Sequence, residues 1–75
     1  MDVVMPKWGM SMQEGHLSEW LVAVGDPVAE GQVLANVETE KVEAEIEAPE
    51  AGVVAELLVE AGTDVEVGTV IARLS

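Results

Sequence analysis

The chain has 75 residues, which is room for one domain with one hydrophobic core. Fifteen acidic residues face three basic ones, a net charge of −12. This balance argues against nucleic acid and anionic membrane as partners, because phosphate groups are bound by Lys and Arg. Hydrophobic residues make up 49% of the chain, which predicts a folded domain rather than a disordered acidic tail.

Several kinds of chemistry are excluded by the residues that are missing. Cysteine is absent and His16 is the single histidine. Disulfides, thiol chemistry by the chain itself, Ser-His or Cys-His catalysis and multi-His metal sites are therefore excluded. We expect no metal and no catalytic residue, and we interpret His16 as an ordinary strand residue. The longest strictly apolar run is 20–24, far shorter than the roughly 20 residues that span a membrane.

Short apolar stretches separated by turn residues predict strands throughout the chain. In chain order we expect them near 2–5, 15–22, 27–29, 33–38, 42–48, 52–59, 64–66 and 70–74. The segment 40–48 has helical composition, but its apolar residues alternate with Glu43, Glu45 and Glu47, which favours a strand with one dry and one acidic face. Regular short strands in a small chain indicate an all-β sandwich or flattened barrel.

The sequence contains an internal repeat of 37 residues. Residues 15–38 align without gaps on 52–75, and nine of the 24 positions are identical. The repeat pairs six of the seven glycines, which predicts matched turns in two similar halves. These paired glycines are Gly15 with Gly52, Gly25 with Gly62, and Gly31 with Gly68. Leu17, Trp20 and Val22 cannot share one face of a regular strand, and the second copy has the same break, so we expect a β-bulge in each half.

Lys41 is the residue that stands out. Thr39, Glu40 and Lys41 separate two predicted strands, which indicates a β-hairpin with Lys41 in its turn. Its acidic neighbours are compatible with a surface ion pair worth roughly 0–1 kcal/mol. A hairpin tip is also accessible to a partner enzyme, and a lysine amine can be acylated. Lys41 lies between the two copies of the repeat, so the chain termini are expected to meet at the opposite end.

With these features the chain resembles the lipoyl domain of the acyltransferase components of 2-oxo acid dehydrogenase complexes, within the biotinyl/lipoyl attachment family. The resemblance covers essentially the whole chain, and the opening MPKWGMSM is most similar to acetoin dehydrogenase complexes. It rests on Met5-Pro6-Lys7, Gly9, Glu14-Gly15, Trp20, Gly25-Asp26, Gly31, Glu38-Thr39-Glu40-Lys41-Val42, Ala48-Pro49, Gly52, Gly62 and Gly68.

The resemblance implies a fold and a carrier function. The fold is a flattened β-barrel or sandwich of two four-stranded antiparallel sheets with quasi-twofold symmetry, a barrel-sandwich hybrid. A lipoyl ligase or lipoyl transferase would join lipoic acid by an amide to Lys41, and would read the flanking residues Glu38, Thr39, Glu40 and Val42. The lipoyl group would act as a swinging arm. It would carry acyl groups and electrons between a thiamine-diphosphate-dependent decarboxylating component, an acyltransferase core and a flavin-dependent dihydrolipoyl dehydrogenase.

The resemblance also implies that the loop after the first strand recognises partners. This predicted loop contains Lys7, Trp8, Gly9, Met10, Ser11, Met12, Gln13 and Glu14. Trp8, Met10 and Met12 form either an exposed contact surface or part of the core, and the sequence leaves both open.

The sequence is also compatible with other functions. A biotin carrier has the same fold and lysine site, but usually carries Met on both sides of the lysine, where this chain has Glu40 and Val42. An unmodified interaction module is a further alternative. A glycosidase-like carboxylate pair is disfavoured, since 75 residues leave little room for a cleft.

We expect a single non-enzymatic domain over residues 1–75, excised from a longer acyltransferase chain and monomeric in isolation. The bacterial cytoplasm is the expected location, with the mitochondrial matrix as the alternative.

Overall fold

The alternation of small apolar residues with turns produces a structure built of strands. The computed structural model describes residues 1–10, 12–40 and 42–75, and these residues form eight strands and no helix. The strands are β1 (Asp2–Val4), β2 (Glu14–Trp20), β3 (Pro27–Val28), β4 (Val33–Glu38), β5 (Glu43–Glu47), β6 (Gly52–Leu57), β7 (Thr63–Glu66) and β8 (Val70–Leu74). All eight predicted strands are confirmed, and the ambiguous segment around β5 is a strand.

Two four-stranded antiparallel sheets face each other as a flattened sandwich. Their strand orders are β1-β8-β6-β3 and β5-β4-β2-β7. Moving each strand four places along the chain converts one order into the other, which is the quasi-twofold symmetry that the repeat predicts. The sheets do not close into a continuous barrel, so of the two architectures expected the sandwich is the one found.

The predicted bulges are confirmed at matched positions. The register between β2 and β4 shifts between Leu17 and Glu19, and the register between β6 and β8 shifts between Val54 and Glu56. These two places are 37 residues apart. Leu17 and Val54 are both buried. The extra residue of each bulge shifts the alternation of side chains by one, so that apolar residues after the bulge face the core again.

The paired glycines have two different roles. Gly25, Gly31, Gly62 and Gly68 have φ angles of 96°, 82°, 85° and 90°, the left-handed region that favours glycine, and they form the predicted turns. Gly15 lies within β2 and its counterpart Gly52 begins β6, so the prediction of turns at these two glycines was wrong. A Cβ atom on Gly15 would lie 2.7 Å from a methyl carbon of Val37, so close packing requires this glycine.

The core lies between the two sheets, and among the described residues every fully buried one that forms it is apolar. Its buried residues are Val3, Met5, Leu17, Val28, Leu34, Ala35, Val37, Ile46, Ala48, Val54, Val65, Ile71, Ala72 and Leu74. In β5 the glutamates are exposed and Ile46 is buried, as predicted, but Val42 just before the strand is 54% exposed and does not belong to the dry face. The N-terminal amine donates to the carbonyl of Leu74 at 2.7 Å, so the two ends of the chain are adjacent.

The two halves differ in one connection. Met5 and Ala48 hold equivalent places, because each makes the same pair of backbone hydrogen bonds to the matched Gly-containing turn. Nine residues separate Met5 from Gly15, whereas three residues separate Ala48 from Gly52. The fold can therefore make this connection with six fewer residues, and stability alone does not explain the longer β1–β2 loop (residues 5–13).

Candidate functional site

The hairpin tip between β4 and β5 is held by a threonine. The last paired residues of the two strands are Glu38 and Glu43. Beyond them the backbone N–H of Thr39 donates to the carbonyl of Val42 at 2.8 Å. The Thr39 hydroxyl donates to the same carbonyl at 2.9 Å and accepts from the Val42 N–H at 3.2 Å. The described residues thus confirm the predicted tight turn, while Lys41 itself lies outside the described residues.

The structure brings the β1–β2 loop beside the hairpin tip. A groove of about 320 Å³ runs between them. Its walls are formed by Trp8, Gly9, Met10, Met12 and Glu14 on one side and by Thr39, Glu40 and Val42 on the other. Most residues of both predicted recognition segments therefore border one surface feature.

The apolar side chains of the loop divide between solvent and core. Met10 is 96% exposed and Trp8 is 39% exposed, whereas Met12 is half-buried and packs against the core. The Met12 N–H donates to the carbonyl of Gly9 at 3.1 Å, and the Met12 sulfur accepts from the Trp8 N–H at 3.4 Å. The two alternatives left open by the sequence are both realised, at different residues. Ser11 lies outside the described residues.

The other loop residues are exposed and the loop is anchored at both ends. Lys7, Gln13 and Glu14 are exposed. The Gln13 carbonyl accepts from the N–H of Val67 at 2.9 Å, and Met5 is fixed by backbone hydrogen bonds at the other end. The loop is thus a defined surface on which Trp8 and Met10 are displayed.

A second groove below the tip is acidic. It has a volume of about 490 Å³ and is lined in part by Glu14, Glu38, Glu40 and Asp64. Asp64 arrives there through the pairing of β7 with β2, and its carboxylate lies 2.8 Å from Nδ1 of the half-exposed His16. The sequence interpretation of His16 as a strand residue is confirmed. The sequence interpretation did not identify Asp64 as a neighbour of the tip, although the repeat implies that β7 pairs with β2.

The charge of the two sheets is unequal. The sheet that carries the hairpin tip has eight exposed carboxylates on its strands: Glu14, Glu19, Glu38, Glu43, Glu45, Glu47, Asp64 and Glu66. The strands of the other sheet carry Asp2 and Glu56, and Arg73 lies 3.3 Å and 3.5 Å from these two carboxylates. Glu38 lies opposite Glu43 at the last paired position of β4 and β5, and like charges directly opposite each other destabilise a sheet. Negative potential is therefore concentrated beside the hairpin tip.

The residues that the structure describes are 1–10, 12–40 and 42–75. Within these ranges no group of three or more His, Asp or Glu residues is placed to hold a metal ion. The same ranges contain no helix that is long and apolar enough to cross a membrane.

Proteins of similar sequence and fold match nearly the whole chain. The family model described as "Biotin-requiring enzyme", which covers biotin and lipoyl attachment, matches residues 1–74. The chain is 49% identical over 72 residues to the dihydrolipoyllysine-residue acetyltransferase component of the acetoin cleaving system of Bacillus subtilis, covering 96% of this chain and 18% of that protein. It is 47% identical over 73 residues to the corresponding component of the pyruvate dehydrogenase complex of Corynebacterium glutamicum, covering 97% of this chain and 11% of that protein.

The solved lipoyl domain of the 2-oxoglutarate dehydrogenase complex from Azotobacter vinelandii superposes with a TM-score of 0.75. It is 25% identical in sequence, and the match covers 97% of this chain and 95% of that one. The chain thus spans less than a fifth of either curated relative but nearly all of a solved single domain.

Proposed function

The chain belongs to the biotin/lipoyl attachment family, and we propose that it is a carrier domain whose lipoic acid is joined by an amide bond to the side-chain amine of Lys41. The observation that carries the proposal is the hairpin tip. In the sequence, position 41 lies between Glu40 and Val42, and the Thr39 hydroxyl joins the two flanks of the tip by hydrogen bonds to Val42. The β1–β2 loop, whose counterpart in the other half of the fold is six residues shorter, lies beside this turn. The names of the relatives support lipoate rather than biotin.

The residues around the tip fit such a group. Glu40 and Val42 are exposed, so a modifying enzyme can reach both neighbours of the lysine. When bound, lipoic acid supplies a dithiolane that accepts an acyl group together with electrons. The chain's own part is to hold the flanks of the turn in register through Thr39. We propose no acid, base or metal ligand from the domain itself.

The charge distribution supports a class of partner surface. Eight carboxylates on one sheet, opposed by His16 as the one basic side chain on its strands, would steer the tip toward a positively charged surface. We propose that the ligase or transferase, the decarboxylating component, the acyltransferase core and dihydrolipoyl dehydrogenase each present such a surface. Trp8 and Met10 would supply apolar contacts at the same place. We further propose that the parent chain is an acyltransferase.

A biotin carrier is the second candidate, because the family model covers both cofactors. The residues Glu40 and Val42 argue against it, because biotin carriers usually have Met at both of these positions. The two candidates are separated by which ligase modifies the chain.

The test uses the two lysines of the chain, Lys7 and Lys41, as a matched pair. The wild type, Lys41→Arg and Lys7→Arg domains are incubated with lipoate, ATP and a lipoyl ligase, and their intact masses are measured at completion. We expect the wild type and Lys7→Arg to gain one lipoyl group and Lys41→Arg to gain none. Modification of Lys41→Arg, or a wild type that accepts biotin from a biotin ligase and no lipoate, would overturn the proposal.

A further inference from the structure

The groove between the β1–β2 loop and the hairpin tip has features of a binding site that carrier function alone does not require. We propose that this groove binds the lipoyl arm of its own chain, so that the dithiolane ring rests against Trp8, Met10 and Met12 when no partner enzyme is engaged. The inference depends on the proposed lipoylation of Lys41.

The first reason is covalent connection. Residue 41 is bonded directly to Glu40 and Val42, and both of these residues line the groove. A group carried by residue 41 is therefore joined through the backbone to two residues of the groove, and its encounter with the groove walls is intramolecular. Effective concentrations for short flexible tethers are on the order of millimolar, so even weak contacts can hold a tethered group. A free partner segment has no such advantage.

The second reason is chemical. The apolar side chains that line the groove are an indole, two thioether chains and a valine, supplied by Trp8, Met10, the half-buried Met12 and Val42. Indole and thioether groups are polarizable and make favourable contacts with sulfur, at about 0.3–1.5 kcal/mol for a sulfur–aromatic pair. Amide-linked lipoate is neutral and ends in a disulfide ring, so it matches these walls. The carboxylates of Glu14 and Glu40 at the rim disfavour an anionic ligand instead.

The third reason is that the groove is formed in advance. Hydrogen bonds from Met12 to Gly9 and from Trp8 to the Met12 sulfur define the bend of the loop, and Met12 packs on the core. A preformed site avoids much of the ordering cost of binding. The groove volume of about 320 Å³ is at the small end of the roughly 300–1,000 Å³ typical of ligand sites, which suits a five-membered ring and a few methylene groups.

The extra length of the β1–β2 loop agrees with this role. The equivalent connection between Ala48 and Gly52 needs only three residues and displays no indole or thioether side chain. Met10 is 96% exposed and lies in a loop that the fold could shorten. Its exposed apolar surface therefore does not stabilise the fold. A weak intramolecular ligand explains the exposure, and weak binding leaves the arm free to leave for a partner enzyme.

The first experiment locates the arm by NMR. Intact mass first establishes that the wild type carries one lipoyl group. Spectra of the methionine methyl groups and the indole N–H groups are then compared for the unmodified, octanoylated and lipoylated domains. We expect lipoylation to shift the Trp8, Met10 and Met12 signals, and octanoylation to shift them less. The Met1 methyl and the Trp20 indole, which donates to the Val59 carbonyl at 2.9 Å, are internal controls and should not move.

The outcomes separate the two proposals. A chain that takes no lipoyl group fails at the mass measurement and overturns the proposed function. A lipoylated chain in which the Trp8, Met10 and Met12 signals do not move keeps the proposed function but overturns arm docking. The groove would then be open to a partner segment.

The second experiment measures protection of the ring. The dithiolane of the lipoylated domain is reduced with a small phosphine, and the rate is compared for the wild type, Trp8→Ala and Val24→Ala, each verified by mass as lipoylated. Val24 is 61% exposed and does not border the groove, so it is the matched control. Loss of the sulfur–aromatic contact energy corresponds to a rate of dithiolane reduction about two- to tenfold higher in Trp8→Ala than in the wild type. The rate in Val24→Ala should be unchanged. Equal rates in all three would overturn docking.

Discussion

Gly15 is the position where the core and the β1–β2 loop are most tightly coupled. A Cβ atom placed on Gly15 would lie 2.7 Å from Cγ1 of Val37, 3.2 Å from Cε of Met12 and 3.5 Å from Sδ of Met5. Optimal carbon–carbon contact is about 3.5–4.0 Å, so Gly15→Ala forces Val37 and Met12 to move. Overpacking of this kind costs about 1–3 kcal/mol, and the better strand propensity of Ala returns about 0.5–1 kcal/mol.

Taking the middle of each range, the net expectation for Gly15→Ala is a loss of about 1 kcal/mol in the free energy of unfolding. For a chain of this size each kcal/mol lowers Tm by about 4–8 °C, which thermal unfolding followed by circular dichroism resolves. The control is Gly9→Ala, because no described atom lies within 4 Å of a Cβ at Gly9. This control should stay within about 0.5 kcal/mol of the wild type.

A double-mutant cycle identifies the cause. In Gly15→Ala/Val37→Ala the obstructing methyl group is removed, so the two losses should be less than additive by at least about 0.5 kcal/mol. Strict additivity, or a Gly15→Ala domain as stable as the wild type, would refute the close-packing explanation of this glycine.

Three further predictions concern the turns, the bulge and the hairpin tip. Gly62→Ala should lose about 1–2 kcal/mol in urea unfolding, because its φ of 85° is unfavourable for a residue with a Cβ; an unchanged midpoint would contradict this. Ser18→Ala should be neutral or more stable by up to about 1 kcal/mol in the same assay, since the buried Ser18 hydroxyl has no hydrogen-bond partner among the described residues; a clear loss would show that the hydroxyl is satisfied. Insertion of one Gly after Glu40 should leave the thermal unfolding transition in place but abolish lipoylation, because it shifts the turn against the strands that present it; retained ligation would contradict this.

The sequence predicted those parts of the fold that depend on local pattern and on the repeat. The bulge after Leu17 could be predicted because Leu17, Trp20 and Val22 conflict with a period of two, and the conflict recurs at Val54. The strand at β5 could be predicted because its alternation outweighs its helical propensity.

Other features depended on tertiary contacts that a linear pattern does not contain. Glycine at position 15 was expected to form a turn, because the sequence does not distinguish a left-handed backbone from a close approach by Val37. Met10 and Met12 have the same hydrophobicity, and only the packing of the loop decides which one is exposed. Asp64 reaches the tip through a pairing between β2 and β7 that joins residues 48 positions apart.

The most direct test of the central claim uses the absence of cysteine. Because the polypeptide contains no thiol of its own, every thiol that appears after mild reduction belongs to an attached group. The domain is purified after expression with a lipoyl ligase and lipoate, reduced, freed of reductant and titrated with a thiol reagent, beside Lys41→Arg treated in the same way. We expect one dithiol per wild-type chain and none in the variant. A wild-type chain that is fully modified by mass yet releases no titratable thiol, or a Lys41→Arg chain that does, would contradict this expectation.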